Sequence, residues 1–322
     1  MADLSSRVDP EIASILARNP MGAADYTDLP AVRATRAAAN AQLAAASAAA
    51  VEAAGVDVTD HYAPGDTPGA PDVLVRVYRP RSQTEALPAL YWIHGGGFMV
   101  GSVDQDDVKM AKLAAAVDCV VASVDYRLAP EHPYPAPLDD CHAGLQWLLA
   151  NTASLRVDRD RIAIGGGSAG GGLAAGLALR CRDTGVAFAY SLLVYPMLDD
   201  REITPSSSWE VPVWNPASNR VGWKAFLGDL YGTNAIPDWA APARAQNLAG
   251  LPPTFIGVGS LDLFVHEDLE YAHRLLAAGV AVELVVYPNA PHGFNSLTPS
   301  ARLAKRLELD IVTALRSAFG TY

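Results

Sequence analysis

Cysteine is scarce: Cys119, Cys141 and Cys181 are the three in 322 residues, and no two have C-x-x-C spacing. Each lies in or beside an apolar segment, which argues against a disulfide scaffold or a cysteine metal cluster and for buried reduced thiols. No apolar run reaches the roughly 20 residues needed to cross a bilayer. The opening residues, Met1 to Pro10, lack the apolar core of a signal peptide, so the expected setting is cytoplasmic. Positive charge is also in short supply, with 24 Lys and Arg against 35 Asp and Glu and a formal charge of −11. That balance argues against nucleic acid and anionic membranes as partners, since both attract basic patches. Charged residues make up only 18% and hydrophobic ones 50%. Such a chain is neither disordered nor a coiled coil, and it is long enough to bury a large core.

What is present begins with organisation. Glu11–Arg18 is a short helical candidate, and Pro30–Ala54 is alanine-dominated with helix propensity throughout. Val32, Leu43 and Val51 give the second helix only a thin apolar stripe, so it should lie on something larger. Strand patterns follow at Val73–Tyr78, Leu87–Ile93, Cys119–Asp125, Arg161–Gly165, Phe188–Tyr195, Thr254–Gly259 and Val282–Tyr287. Helices are expected at Gln105–Val117, Leu138–Ala150, Ala169–Arg182, His266–Ala278 and Pro299–Phe319. This alternation predicts an α/β fold with a mostly parallel sheet covered on both faces, and chemistry at the carboxyl ends of the strands. Between Pro196 and Ala249 the alternation breaks. That stretch holds Trp209, Trp214, Trp223 and Trp239 and reads either as a helical subdomain packing its own aromatics or as a lid over the active site, two readings that are compatible.

Two motifs carry chemistry. His94-Gly95-Gly96-Gly97-Phe98 directly follows the strand ending at Ile93, and its glycines can aim bare N–H groups at an oxygen that becomes negative during acyl transfer. Gly166-Gly167-Ser168-Ala169-Gly170 is a G-x-S-x-G elbow between a predicted strand and a predicted helix, which makes Ser168 the candidate nucleophile. A base and an acid should follow in the order Ser, Asp or Glu, His. His292 lies in the turn-rich loop Pro288 to Phe294 and is the candidate base; His61, His142 and His273 lie elsewhere. Asp262, at a strand's carboxyl end, is the candidate acid; Glu267 and Asp268 compete but fall inside the next helix, where acids favour the dipole. His266, Glu270 and His273 share a helix face in metal-ligand spacing, but nothing else supports a metal, and they read as a solvated face.

Taken together, His94–Phe98, the segment Tyr126-Arg-Leu-Ala-Pro-Glu-His-Pro-Tyr-Pro-Ala136, the Ser168 elbow, Asp262 and Pro291-His-Gly-Phe294 resemble the hormone-sensitive-lipase-like esterases, the bacterial family IV branch of the α/β-hydrolases. The resemblance covers roughly residues 60–320. It implies an eight-stranded sheet with a helical cap, divided as 1–55 (cap, first part), 56–197 (core), 198–248 (cap, second part) and 249–322 (core). It also implies an oxyanion hole from the backbone N–H groups of Gly96, Gly97 and Ala169, with His94 tying the loop. Two positions depart from the pattern: Gly167 stands where the family usually has Asp or Thr, and His266 where a second aspartate often follows the acid.

These residues predict a serine carboxylic-ester hydrolase acting on short- to medium-chain acyl esters through an acyl-enzyme, with no cofactor and no metal. Phe98, Met99, Trp209, Trp214 and Trp223 are the candidates for lining its pocket. The same machinery serves arylformamides, lactones, carbamates or aryl esters, since fold and triad do not choose the substrate. A non-catalytic small-molecule receptor is disfavoured because Ser168, Asp262 and His292 are all kept, and an interfacial lipase because no long apolar stretch is available. The expected partner is a small-molecule ester; a homodimer is compatible with the resemblance.

Overall fold

The structure is a computed structural model describing residues 4–18, 26, 28–83 and 85–321. Residues 1–3, 19–25 and 27 of the predicted 1–55 segment lie outside the described residues. Asp9 starts α1 (Pro10–Leu16) by accepting the Glu11 and Ile12 N–H groups, and Asp28 starts α2 (Leu29–Ala53) by accepting that of Ala31. These side-chain caps satisfy donors that have no partner within the helix. The alanine-rich α2 buries only Val32.

The rest of the chain alternates strand and helix. In order come β1 (Val56–Ala63), β2 (Val73–Pro80), β3 (Leu87–Ile93), α3 (Asp107–Val117), β4 (Val120–Asp125), α4 (Ala136–Ala150), β5 (Val157–Gly167), α5 (Ala169–Thr184) and β6 (Tyr190–Val194). Then follow α6 (Pro216–Leu227), β7 (Thr254–Leu261), α7 (Val265–Ala277), β8 (Val282–Pro291), α8 (Phe294–Leu297) and α9 (Arg302–Phe319). The strands form one eight-stranded sheet in the order β1-β2-β4-β3-β5-β6-β7-β8. β2 is antiparallel to both its neighbours, while β4 through β8 run parallel. β3 is buried at every position, as a central strand covered on both faces must be. Helices α4, α5 and α7 contribute to the core on one face; α1, α3 and α9 contribute to the other.

This is the α/β-hydrolase fold, and four strands deliver the candidate residues at their carboxyl ends. His94 follows β3, Ser168 follows β5, Asp262 follows β7 and His292 follows β8. Three sequence expectations need correction. The sheet begins one strand earlier than predicted: β1 buries only Val56 and Ala63, so its polar edge gave no apolar run, and His61 lies within it. The single helix predicted over Pro299–Phe319 is preceded by the one-turn α8 and starts at Arg302. The predicted start of α3 at Gln105 is a 3-10 turn, Val103–Asp106, that leads into the helix.

Candidate active site

Gly167 ends β5 and Ala169 begins α5, so the chain must reverse at Ser168 alone. It does so at φ +58° and ψ −125°, a region that side-chain-bearing residues rarely occupy. The Ser168 N–H donates to the Val194 carbonyl at 2.9 Å, and its own carbonyl accepts from Gly172 and Met197, which holds the turn from both sides. Close packing below requires glycine at 170: a Cβ there would collide with the Ile93 and His94 carbonyls. The elbow is thereby pressed against the end of β3. The amino end of α5 meets Ser168 and presents a partial positive charge to whatever reacts there.

His292 Nε2 lies 2.8 Å from Ser168 Oγ, and His292 Nδ1 lies 2.8 Å from Asp262 Oδ2. The other carboxylate oxygen of Asp262 accepts the Phe264 N–H at 3.0 Å, so the acid is held at both oxygens while fully buried. Tyr195 and Phe264 pack edge-on to the imidazole, with ring centroids 4.8 and 5.1 Å away. These rings restrict the imidazole to the plane that joins serine to aspartate. The sequence reading missed both, although Tyr195 stands at the carboxyl end of β6 and Phe264 two residues past the acid.

The glycine loop folds over the elbow. Gly96 sits at φ +134°, and any Cβ on it would run into the Val100 carbonyl. Among the described residues, the N–H groups of Gly96, Gly97 and Ala169 donate no hydrogen bond within the protein. The loop is braced from outside by the Tyr126–Ala136 segment, for which the sequence suggested no role. Tyr126 Oη donates to the His94 carbonyl at 3.0 Å, and the Ala129 N–H donates to the Phe98 carbonyl at 2.9 Å. Arg127 clamps Asp140 through both guanidinium and backbone, which fixes the brace to α4. His94 stacks on Tyr126 at 4.3 Å and bonds the Gly95 carbonyl through Nδ1. Burial pushes its pKa down, so the ring is neutral and acts as a spacer.

A cleft of about 240 Å³ opens beside Ser168 and His292, walled by Trp92, Tyr195, Val213, Trp214 and Leu297. Of the five residues expected to line it, Trp214 does; its ring lies 6.3 Å from that of His292. The other four do not. Phe98 turns inward at φ +65° and stacks on Phe226 at 4.1 Å with Trp223 behind it. Met99 is buried alongside, and Trp209 covers His266 instead. Apolar core packing claims those side chains, and the sequence pattern of an aromatic-rich insertion does not separate core from lining. Trp239 turns its indole N–H to Asp183.

The acids considered beside Asp262 have other places. Glu267 Oε1 accepts the Leu198 and Asp199 N–H groups, tying α7 to the chain leaving β6. Asp268 is fully buried and neither of its oxygens has a partner among the described residues. Desolvation, reinforced by Glu267 and Asp262, raises the pKa of Asp268 well above the ordinary carboxylate range. His266 is half-buried against Trp209, while Glu270 and His273 face solvent.

Comparison with known proteins agrees with this geometry. A family model described as alpha/beta hydrolase fold matches residues 90–296. Carboxylesterase NlhH of Mycobacterium tuberculosis is 40% identical over 233 residues, covering 70% of this chain and 72% of that protein. Among solved structures, a bacterial heroin esterase superposes with a TM-score of 0.91 at 39% identity, covering 98% of each chain. Esterase LipW from Mycobacterium marinum gives a TM-score of 0.87 at 37% identity, covering 98% of this chain and 96% of that one. The chain therefore belongs to the α/β-hydrolase fold family, in its hormone-sensitive-lipase-like carboxylesterase branch.

Proposed function

We propose that the protein hydrolyses short- to medium-chain carboxylic esters with Ser168 as nucleophile, His292 as general base and acid, and Asp262 as the group that orients the imidazole. The observation that carries this reading is the continuous hydrogen-bonded line Asp262–His292–Ser168, with 2.8 Å at each link, ending at a serine on a strained turn. In the acylation step His292 Nε2 takes the Ser168 proton as Oγ bonds to the ester carbonyl carbon. The proton then passes to the departing alkoxide, which leaves as the alcohol. Water repeats the sequence on the acyl-enzyme, giving the carboxylic acid and restoring Ser168.

The oxyanion formed in each step is received by the N–H groups of Gly96, Gly97 and Ala169, whose freedom from other acceptors supports that role. Each such donor is worth about 3–4 kcal/mol in the transition state. The modest cleft favours short acyl groups over long chains. The segments 1–55 and 198–248 act as a cap: Tyr26 and Trp214 meet edge to face at 5.0 Å over the glycine loop. Ser168→Ala should abolish hydrolysis of 4-nitrophenyl acetate and butyrate and prevent labelling by a fluorophosphonate. Turnover at the unsubstituted level in that variant refutes the reading.

A further inference from the structure

The cleft beside Ser168 is cationic, against the sign of the whole chain. Its charged lining consists of Arg36, Lys109 and Asp106, besides the His292 imidazole. Asp106, the one acid in that lining among the described residues, offsets one of the two positive charges, and its Oδ2 accepts the Trp92 indole N–H at 2.8 Å. Neither cation forms an ion pair among the described residues. Arg36 meets the Tyr26 hydroxyl through Nη2 at 3.1 Å, and its Nε is buried with no hydrogen-bond partner among the described residues. Lys109 lies with Nζ 4.7 Å from the centre of the Trp92 ring. A buried guanidinium N–H without an acceptor costs free energy unless a ligand supplies the acceptor.

Gly167 lines the same cleft as these cations and Ser168. A side chain there would stand 3.7 Å from Tyr195 and 3.8 Å from Trp92, in open contact distance rather than collision. One positive charge of this lining is left without a carboxylate among the described residues. An ester whose acyl part ends in a carboxylate would bring its own.

We propose that this cleft selects half-esters of dicarboxylic acids, with Arg36 and Lys109 recognising the free carboxylate while the ester carbonyl lies at Ser168. The proposal rests on the hydrolytic reading above and names the substrate class for it. Charge-assisted bonds from an otherwise unpaired guanidinium are among the stronger ones available, and each is lost with the charge.

The test compares 4-nitrophenyl hemiglutarate with the neutral 4-nitrophenyl valerate in unsubstituted protein, Arg36→Gln, Arg36→Lys and Lys109→Met. Unsubstituted protein should prefer the half-ester by about tenfold in kcat/KM, a step of about 1.4 kcal/mol. That ratio should fall about tenfold in Arg36→Gln and in Lys109→Met, recover partly in Arg36→Lys, and weaken as salt is added. Equal turnover of the two esters, or a preference that survives both charge removals, overturns the proposal while leaving the catalytic reading intact. If neither ester is hydrolysed, the catalytic reading fails on its own. Calorimetry of monomethyl glutarate with Ser168→Ala then decides the pocket: binding that weakens on adding Arg36→Gln supports the selectivity, and its absence overturns it.

Discussion

Replacing Asp268 with alanine should make the protein more stable at neutral pH and should change how stability depends on pH. Asp268 lies in the first turn of α7, fully buried, with both carboxyl oxygens unpartnered. Burial is the main cause of its raised pKa, and the nearby Glu267 and Asp262 add to it. In the unfolded chain the same group ionises near pH 3.9. Above that value the unfolded state binds fewer protons than the folded state, so stability declines as pH rises towards the folded pKa, by about 1.4 kcal/mol per unit for a single group. Below the unfolded pKa this contribution is fully present. At pH 8 the alanine variant is relieved of orphaned polar atoms whose desolvation costs about 1–3 kcal/mol, and alanine suits the helix better than aspartate. Against this stands a small cavity. Urea unfolding at pH 4, 6 and 8 with an unchanged m-value measures the difference directly. The gain should be largest at pH 8 and shrink towards pH 4. An alanine variant that is less stable at pH 8, or a difference that stays constant with pH, refutes the reasoning.

Three further outcomes follow from named contacts. Asp262→Asn should leave the fold intact and lower kcat by roughly 10³–10⁴, because the amide no longer fixes the imidazole tautomer that accepts the serine proton; stopped-flow acylation rates measure it. Gly167→Ala meets only ordinary contacts at Tyr195 and Trp92 and should keep its melting temperature within a few degrees, whereas Gly170→Ala drives a methyl into the Ile93 and His94 carbonyls and should fail to give an ordered elbow in thermal unfolding or fluorophosphonate labelling. Tyr126→Phe leaves the His94 carbonyl without the hydroxyl 3.0 Å away; it should cost about 1–3 kcal/mol in urea unfolding and lower kcat more than it raises KM.

The sheet and the residues that meet at Ser168 were legible in the sequence because backbone demands restrict residue type there. A strand that is buried on both sides, such as Leu87–Ile93, has to be apolar throughout. The turn at Ser168 needs glycine two residues to either side, because a Cβ at 166 or 170 would run into backbone. β1 was invisible because an edge strand needs only its ends buried, and Val56 and Ala63 supply that without an apolar run. The pocket was the least legible part. Phe98, Trp214 and Trp223 are alike as sequence features, yet a φ of +65° at Phe98 sends its ring under α6, while Trp214 stays above the glycine loop because its indole N–H is tied to Asn219 at 3.2 Å. That choice is made by tertiary packing and leaves no local periodicity to read.

The N-terminal helix shows why a thin apolar stripe can still be firmly seated. With Val32 as its one buried side chain, α2 gains little from hydrophobic burial. Arg33 compensates by donating to the Met99 and Ala129 carbonyls at 2.9 and 3.0 Å and by pairing with Glu131. Those two carbonyls belong to the end of the glycine loop and to the segment that braces it. The same short stretch of backbone is therefore held from one side by Tyr126 and from the other by α2. The loop packs closely on Gly167 and Ser168, and both supports bear on that loop. The segment Tyr126–Ala136 thus fixes the backbone of the glycine loop through Tyr126 and Ala129.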